Sequence, residues 1–171
     1  MIENLKKTDL YKLNESIFKL IGKDWMLVCA GNNEKYNMMT ASWGTCGILW
    51  NKPISIAFIR PQRYTYEFIE KHDFFTLNFF DPSYKNILNL LGTESGRDIN
   101  KMEVYGIDPV SSPSGSVYFK QARIVLECRK LYFDNIKPEL FLNKDIHKMY
   151  PNKDYHRFYI GEILNAISNF D

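Results

Sequence analysis

The stretch that decides the fold runs from Asn37 to Phe80: NMMTASWGTCGILWNKPISIAFIRPQRYTYEFIEKHDFFTLNFF. Runs rich in β-branched and aromatic residues at Tyr36 to Ala41, Ile54 to Ile59 and Phe74 to Phe79 read as short strands. After the first comes Met39-Thr40-Ala41-Ser42-Trp43-Gly44, small and hydroxylated residues around one indole. After the second comes Arg60-Pro61-Gln62-Arg63-Tyr64-Thr65, which leads into the helical pattern YEFIEK with Thr65 placed to cap it. Small residues let a backbone approach a flat ligand, and a helix start beside two arginines offers N–H groups and charge to a phosphate. On the residues alone two plainer readings stay open: a strand that turns at Gly44 and buries Trp43, and a capped surface helix with solvated arginines.

Working outward, Trp25 to Ala30, Arg123 to Phe133 and Phe158 to Ile167 bring the strands to six. RIVLECRKLYF puts Ile124, Leu126, Cys128 and Tyr132 on one face and Glu127 and Arg129 on the other, the pattern of a half-exposed strand. With no regular intervening helices, the pairing is expected to be antiparallel, since parallel neighbours need long crossovers. The fold expected is mainly β, a six-stranded antiparallel Greek-key split barrel with a few peripheral helices. Asp81-Pro82 starts a helix over SYKNILNLL that Gly92 ends, Asp98 is placed to cap a short helical run around Lys101 to Tyr105, and SSPSGS at 111–116 reads as a surface loop. No linker separates parts of the chain, so residues 1–171 are expected to form one domain.

Composition removes several function classes. A net charge of +2, with basic and acidic residues interleaved, lacks the footprint of a nucleic-acid binder. Three widely spaced cysteines without a C-x-x-C pair write neither a disulfide framework nor a metal site. No apolar run approaches a membrane span and the N-terminus lacks a signal-peptide core, so a cytoplasmic protein with no membrane partner is expected. No G-x-G-x-x-G or P-loop occurs, so any nucleotide must be held by other means. An aromatic content of 15% exceeds what a core alone demands and favours a ligand site or an interface.

Two further segments carry candidate chemistry. Ser95-Gly96-Arg97-Asp98, followed by Lys101, reads by itself as a solvated turn. Asp154-Tyr155-His156 precedes the strand RFYIGEI, and a histidine there is either structural or a proton and hydrogen-bond donor to a site. His72 and His147 have no ligand spacing and read as surface residues, while Cys46 reads as a small buried thiol.

Together, T-A-S-W at 40–43, R-P-Q-R-Y-T at 60–65, S-G-R-D at 95–98 with Lys101, and His156 before F-Y-I-G-E-I resemble the flavin reductase-like, FMN-binding split-barrel family, and within it the flavoredoxin branch. The resemblance spans about Trp25 to Ala166. It implies that Met39, Thr40, Ala41, Ser42 and Trp43 line the isoalloxazine. It implies that Arg60, Arg63, Tyr64 and Thr65 grip the FMN phosphate, that Arg97 is a further contact to FMN or to a nicotinamide dinucleotide, and that His156 approaches flavin and reductant as the catalytic candidate. Many two-component reductases carry G-D-H where this chain has Asp154-Tyr155-His156, a departure that favours the flavoredoxin branch. The implied activity is an oxidoreductase passing electrons from NAD(P)H or a redox-protein partner through FMN to an acceptor, in a homodimer. Non-catalytic flavin binding or storage is the alternative.

Overall fold

Antiparallel pairing governs every ladder of the computed structural model, which describes residues 6–169. In chain order the elements are β1 (Lys6–Thr8), α1 (Ile17–Lys19, running into a π-helical turn Leu20–Asp24), β2 (Met26–Gly31), β3 (Tyr36–Ala41), β4 (Gly44–Leu49), β5 (Lys52–Ile59) and α2 (Tyr64–Lys71). Then come β6 (Phe74–Phe79), α3 (Lys85–Thr93), α4 (Lys101–Tyr105), β7 (Pro109–Ser111), β8 (Val117–Phe119), β9 (Ile124–Asn135) and β10 (Arg157–Ser168).

One eight-stranded sheet runs β3-β2-β6-β9-β10-β5-β4, with β1 added to β10. The sheet therefore has two strands more than the six expected. The additions are β1, too short to show a pattern, and β4, whose residues are mostly exposed and so carry no apolar alternation. The strands at the two ends of the path, β3 and β4, are consecutive in the chain with only Ser42 and Trp43 between them. The sheet must curl until its ends meet at that joint, which makes the fold the expected mainly β split barrel and puts the T-A-S-W segment at the seam.

Strand β2 is buried along its whole length, and its side chains divide by period two. Met26, Val28 and Ala30 enter the cluster inside the barrel with Phe75, Leu77 and Tyr159. Leu27 and Cys29 face the other way, into an outer cluster with Leu88 and Leu91 of α3 and Val125 of β9. The first half of β9 is buried on both faces for the same reason, so it is not the half-exposed strand its alternation suggests. Glu127 is fully buried there, accepting from Ser114 N (3.0 Å) and Asn165 Nδ2 (2.6 Å). The SSPSGS segment is thus a structured turn of the β7–β8 hairpin that wraps a carboxylate. A register shift between Ile160 and Gly161 opposite β9 marks a bulge at Leu131. It resets the alternation, so Tyr132 faces solvent instead of continuing the Cys128 side.

Three local expectations change at the helices. Gly92 does not end α3 but lies inside it, because α3 crosses β3 closely there: a Cβ at Gly92 would sit 3.1 Å from Thr40 Cβ. Helix α2 begins one residue before Thr65, with Arg63 at the N-cap. Asn100, not Asp98, caps α4, its side chain accepting from Met102 N.

Candidate functional site

A cleft of about 430 Å³ opens at the barrel seam, lined by Met39, Thr40, Ala41, Ser42 and Trp43 from the β3–β4 joint, Arg60, Gln62 and Arg63 from the β5–α2 turn, Phe58, Gly92 and His156. Eight of the eleven residues singled out in the sequence meet here. The joint supplies one wall because β3 ends at Ala41 while Ser42 and Trp43 lie between strands, leaving both exposed. Trp43 is 38% exposed, so the reading that buries it in the core does not hold. Thr40 is pinned by donation of its hydroxyl to Leu88 O at 2.5 Å.

His156 reaches the cleft because β10 pairs with β5 at Arg157 and Ile59, which sets His156 beside Arg60. The imidazole is 7% exposed and packs against Trp43 with ring centroids 5.0 Å apart. Its Nδ1 lies 2.9 Å from the Tyr150 hydroxyl. Burial, reinforced by the Arg60 charge and opposed by Asp154, lowers the His156 pKa to about 4, so the ring is neutral at pH 7. Burial also keeps Tyr150 a phenol, and its hydroxyl has no other partner among the described residues. Donation from Tyr150 to Nδ1 therefore assigns the proton to Nε2, which no described residue bonds.

The two arginines differ in how they are held. Arg60 is committed: Nη1 donates to Asp154 Oδ2 at 2.6 Å, Nη2 to Met149 O at 3.0 Å, and the guanidinium lies 5.1 Å from the Tyr150 ring centroid. Arg63 donates to Gly92 O at 2.6 Å and has no carboxylate partner among the described residues. Burial and then the Arg60 charge push its pKa down.

Beyond Arg63 the cleft passes into a recess of about 150 Å³ at the α2 N-terminus, which holds Tyr64 and Thr65. Thr65 is fully buried, and Asn37, its amide assigned with oxygen toward the helix, accepts from Thr65 N (3.2 Å) and Thr65 Oγ1 (2.8 Å). Gly96 closes over this pair, since a Cβ there would meet the other end of the Asn37 amide at 2.0 Å. Lys101, 4% exposed, donates to Met38 O (3.2 Å) and Leu91 O (2.7 Å). Burial, then Arg63, opposed by Glu94, lowers its pKa to about 8. Arg97 stands outside both hollows, 4.7 Å from the Tyr64 ring centroid and paired with Glu67.

Residues 19–167 match the family model described as flavin reductase like domain. The chain belongs to this family. Solved structures share the fold of this flavin reductase like domain. An FMN-binding protein from Thermus thermophilus with bound 1-cyclohex-2-enone is 18% identical, with a TM-score of 0.68 over 96% of this chain and 81% of that one. Flavoredoxin from Methanosarcina acetivorans is 21% identical, with a TM-score of 0.67 over 95% of this chain and 75% of that one. Flavoredoxin of Desulfovibrio vulgaris (Miyazaki F) is 19% identical, with a TM-score of 0.65 over 94% and 75%. No curated protein matches the chain.

The roles of several residues at the site of this flavin reductase like domain escaped the sequence reading, although Gly96 and Asp154 stand in segments that it singled out. Asn37 and Gly96 act through a packing contact that no local pattern announces. Tyr150 and Asp154 come from the long connection between β9 and β10, which lacks periodicity. His147, read as a surface residue, is half-buried there, its Nδ1 3.0 Å from the Tyr155 hydroxyl and its ring 5.0 Å from Phe141. Cys46 is half-buried and pushed up to about 12 by burial, which keeps it a thiol.

Proposed function

We propose that this chain is an FMN-binding oxidoreductase of the flavin reductase and flavoredoxin type, with the isoalloxazine along Met39 to Trp43 and the phosphate in the recess at the α2 N-terminus. One observation carries the reading. The buried Lys101 and the half-buried Arg63 share that recess, the Arg63 charge helps to hold the Lys101 pKa down, and neither has a carboxylate in ion-pair contact among the described residues. A bound phosphate dianion supplies a counter-charge at ion-pair distance, and the N–H groups of Arg63 and Lys101 beyond those that bond Gly92 O, Met38 O and Leu91 O give it directed donors.

Bound FMN supplies a ring that takes up a hydride and releases electrons. The residues of the chain position it. Gly92 and Ala41 leave room along one edge, Trp43 offers an indole wall, and the neutral His156 presents Nε2–H to the cleft as a fixed hydrogen-bond donor. Arg60 lends positive charge to the cleft without leaving Asp154, which favours negative charge developing on a reduced ligand. Electrons arrive from NAD(P)H or a protein donor and leave to an acceptor.

The protein acts as a homodimer in the cytoplasm. Trp50, exposed like Ile48 and Leu49 before it, meets the exposed ring of Tyr132 in an apolar face, and an aromatic series leads from it to the cleft: Trp50, Tyr132, Phe158, Phe58 and His156, with centroids 6.1–6.5 Å apart at each step. Such a face favours association beside the flavin.

Anaerobic mixing of the yellow purified protein with NADH or NADPH tests the activity. Bleaching of the flavin band is expected. A flavin that stays oxidised with both nucleotides and with a reduced redox protein leaves the protein as a flavin holder without turnover, and a preparation that neither is yellow nor binds FMN removes the reading.

A further inference from the structure

A hollow of about 470 Å³ lies beside the cleft, between Ile17 and Ile21 of the α1 segment on one side and Thr45 of β4 and Ile136 on the other. That volume lies in the ~300–1,000 Å³ range of small-ligand sites. Ser42, Trp43 and Phe58 stand in the walls of both the hollow and the cleft. The chemistry of the two differs. The cleft has Arg60 and Arg63 in its wall, whereas no ionisable side chain among the described residues lines the hollow. A charged ligand would find no counter-charge there, and burying an unpaired charge is costly, so the walls select a neutral one. They are apolar but not wholly so. The Ser42 and Thr45 hydroxyls and the Trp43 indole N–H make no hydrogen bond to another described residue. Unengaged donors at the edge of an apolar hollow suit a flat ring that carries carbonyl oxygens. Phe18 stands at the same hollow with 85% of its surface exposed, and a ring seated there would take apolar surface of Phe18 out of water.

We propose that this hollow seats a quinone, the acceptor for electrons from the flavin in the cleft. The inference rests on the placement of flavin along Met39 to Trp43. With the flavin at the joint and the quinone beside α1, Trp43 borders both, so the two rings lie about one side chain apart. The exchange balances: the quinone becomes a hydroquinone by taking two electrons and one proton from the reduced flavin and a second proton from water, and the flavin returns to its oxidised form. Quinone and hydroquinone are both neutral, so the uncharged walls accommodate substrate and product alike.

Isothermal titration of the flavin-free protein tests the seat, with duroquinone, whose fully substituted ring adds no thiol, and with anthraquinone-2-sulfonate as an anionic quinone. Duroquinone is expected to bind about tenfold more tightly than the sulfonate. Gly22 lines the hollow but not the cleft, and a Cβ there would meet nothing within 4 Å. Gly22→Phe is therefore expected to weaken duroquinone about tenfold by filling the space, and to leave the FMN dissociation constant within about threefold. Thr45→Lys, at an exposed position of β4, is expected to weaken duroquinone and strengthen the sulfonate. In FMN-loaded protein photoreduced under argon, the yellow band is expected to return on adding duroquinone about tenfold more slowly in Gly22→Phe than in the natural chain. The proposal is overturned by an absence of duroquinone binding, by binding that neither variant changes, or by equal rates of reoxidation in Gly22→Phe and the natural chain. If duroquinone binds and Gly22→Phe weakens it while FMN does not bind at all, the flavin reading fails and the acceptor role with it, and the quinone seat stands.

Discussion

Arg60 Nη1 lies 2.6 Å from Asp154 Oδ2, and the same carboxylate oxygen accepts from Gln62 Nε2 at 2.5 Å. The sequence offers Arg60 and Arg63 as an equivalent pair; the structure separates them into a strap tied to a carboxylate and a cation without a carboxylate partner among the described residues. Arg60 ties the β5–α2 turn to the connection that carries Tyr150 and Asp154, whereas Arg63 faces the recess.

Arg60→Met is therefore expected to lower stability. It leaves the half-buried Asp154 carboxylate with Gln62 as its remaining donor, and its other oxygen, Oδ1, is already buried without a partner. The expected loss is about 2 kcal/mol, read by urea unfolding. Arg63→Met, which breaks only a bond to Gly92 O, is expected to change stability by less than half of that and to weaken FMN at least tenfold while leaving riboflavin unaffected. Equal losses of stability in the two variants would remove the distinction.

Lys101 makes FMN binding sensitive to alkaline pH. Its pKa is about 8 in the free protein, and a phosphate dianion beside the ammonium raises it. Binding then requires proton uptake above pH 8, so the dissociation constant is expected to climb up to about tenfold per pH unit between pH 8 and 9.5. Lys101→Met is expected to bind FMN more weakly at pH 7 and to show no such climb. An unchanged slope in that variant would assign the titration elsewhere.

Much of the fold is legible because apolar alternation is written where strands are buried. Tyr36–Ala41 and Phe74–Phe79 occupy the residues expected of them. Strand β4 was hidden because its exposed residues answer to chain closure at Trp43, not to a core. The same division holds at the site. The β3–β4 joint and the β5–α2 turn are contiguous in sequence, and their small residues and arginines show what they can hold. Arg60 and Asp154 are 94 residues apart, so their pairing depends on β10 lying against β5 and cannot be read from either segment. Gly92 looks like a helix stop until α3 is seen against Thr40.

Trp43 reports on the ring position. Among the tryptophans, Trp43 lines the cleft, Trp50 stands at the β4–β5 turn, and Trp25 lies under the Lys85 ammonium, 3.1 Å from its ring centroid. FMN is expected to quench Trp43 most strongly, so Trp43→Phe should remove most of the FMN-dependent loss of tryptophan emission. Persistence of that loss would move the isoalloxazine away from the joint.

His156 sets a stability limit on the acid side. Its pKa falls from 6.5 in the unfolded chain to about 4 in the folded one, with burial as the largest cause. Between those values the unfolded state binds more protons, so the stability present above pH 6.5 is lost as pH falls toward 4. From pH 7 to pH 5 the loss assigned to this group is about 2 kcal/mol, at 1.36 kcal/mol per pKa unit. His156→Gln cannot titrate, so its unfolding free energy is expected to fall by about 2 kcal/mol less than that of the natural chain over the same interval. The variant separates proton from packing: it sacrifices the Tyr150 contact at both pH values, and only the difference between them reports the imidazole. If the two proteins lose stability in parallel, His156 is protonated inside the fold at pH 5, and its Nε2–H cannot be taken as the cleft-facing donor of a neutral ring.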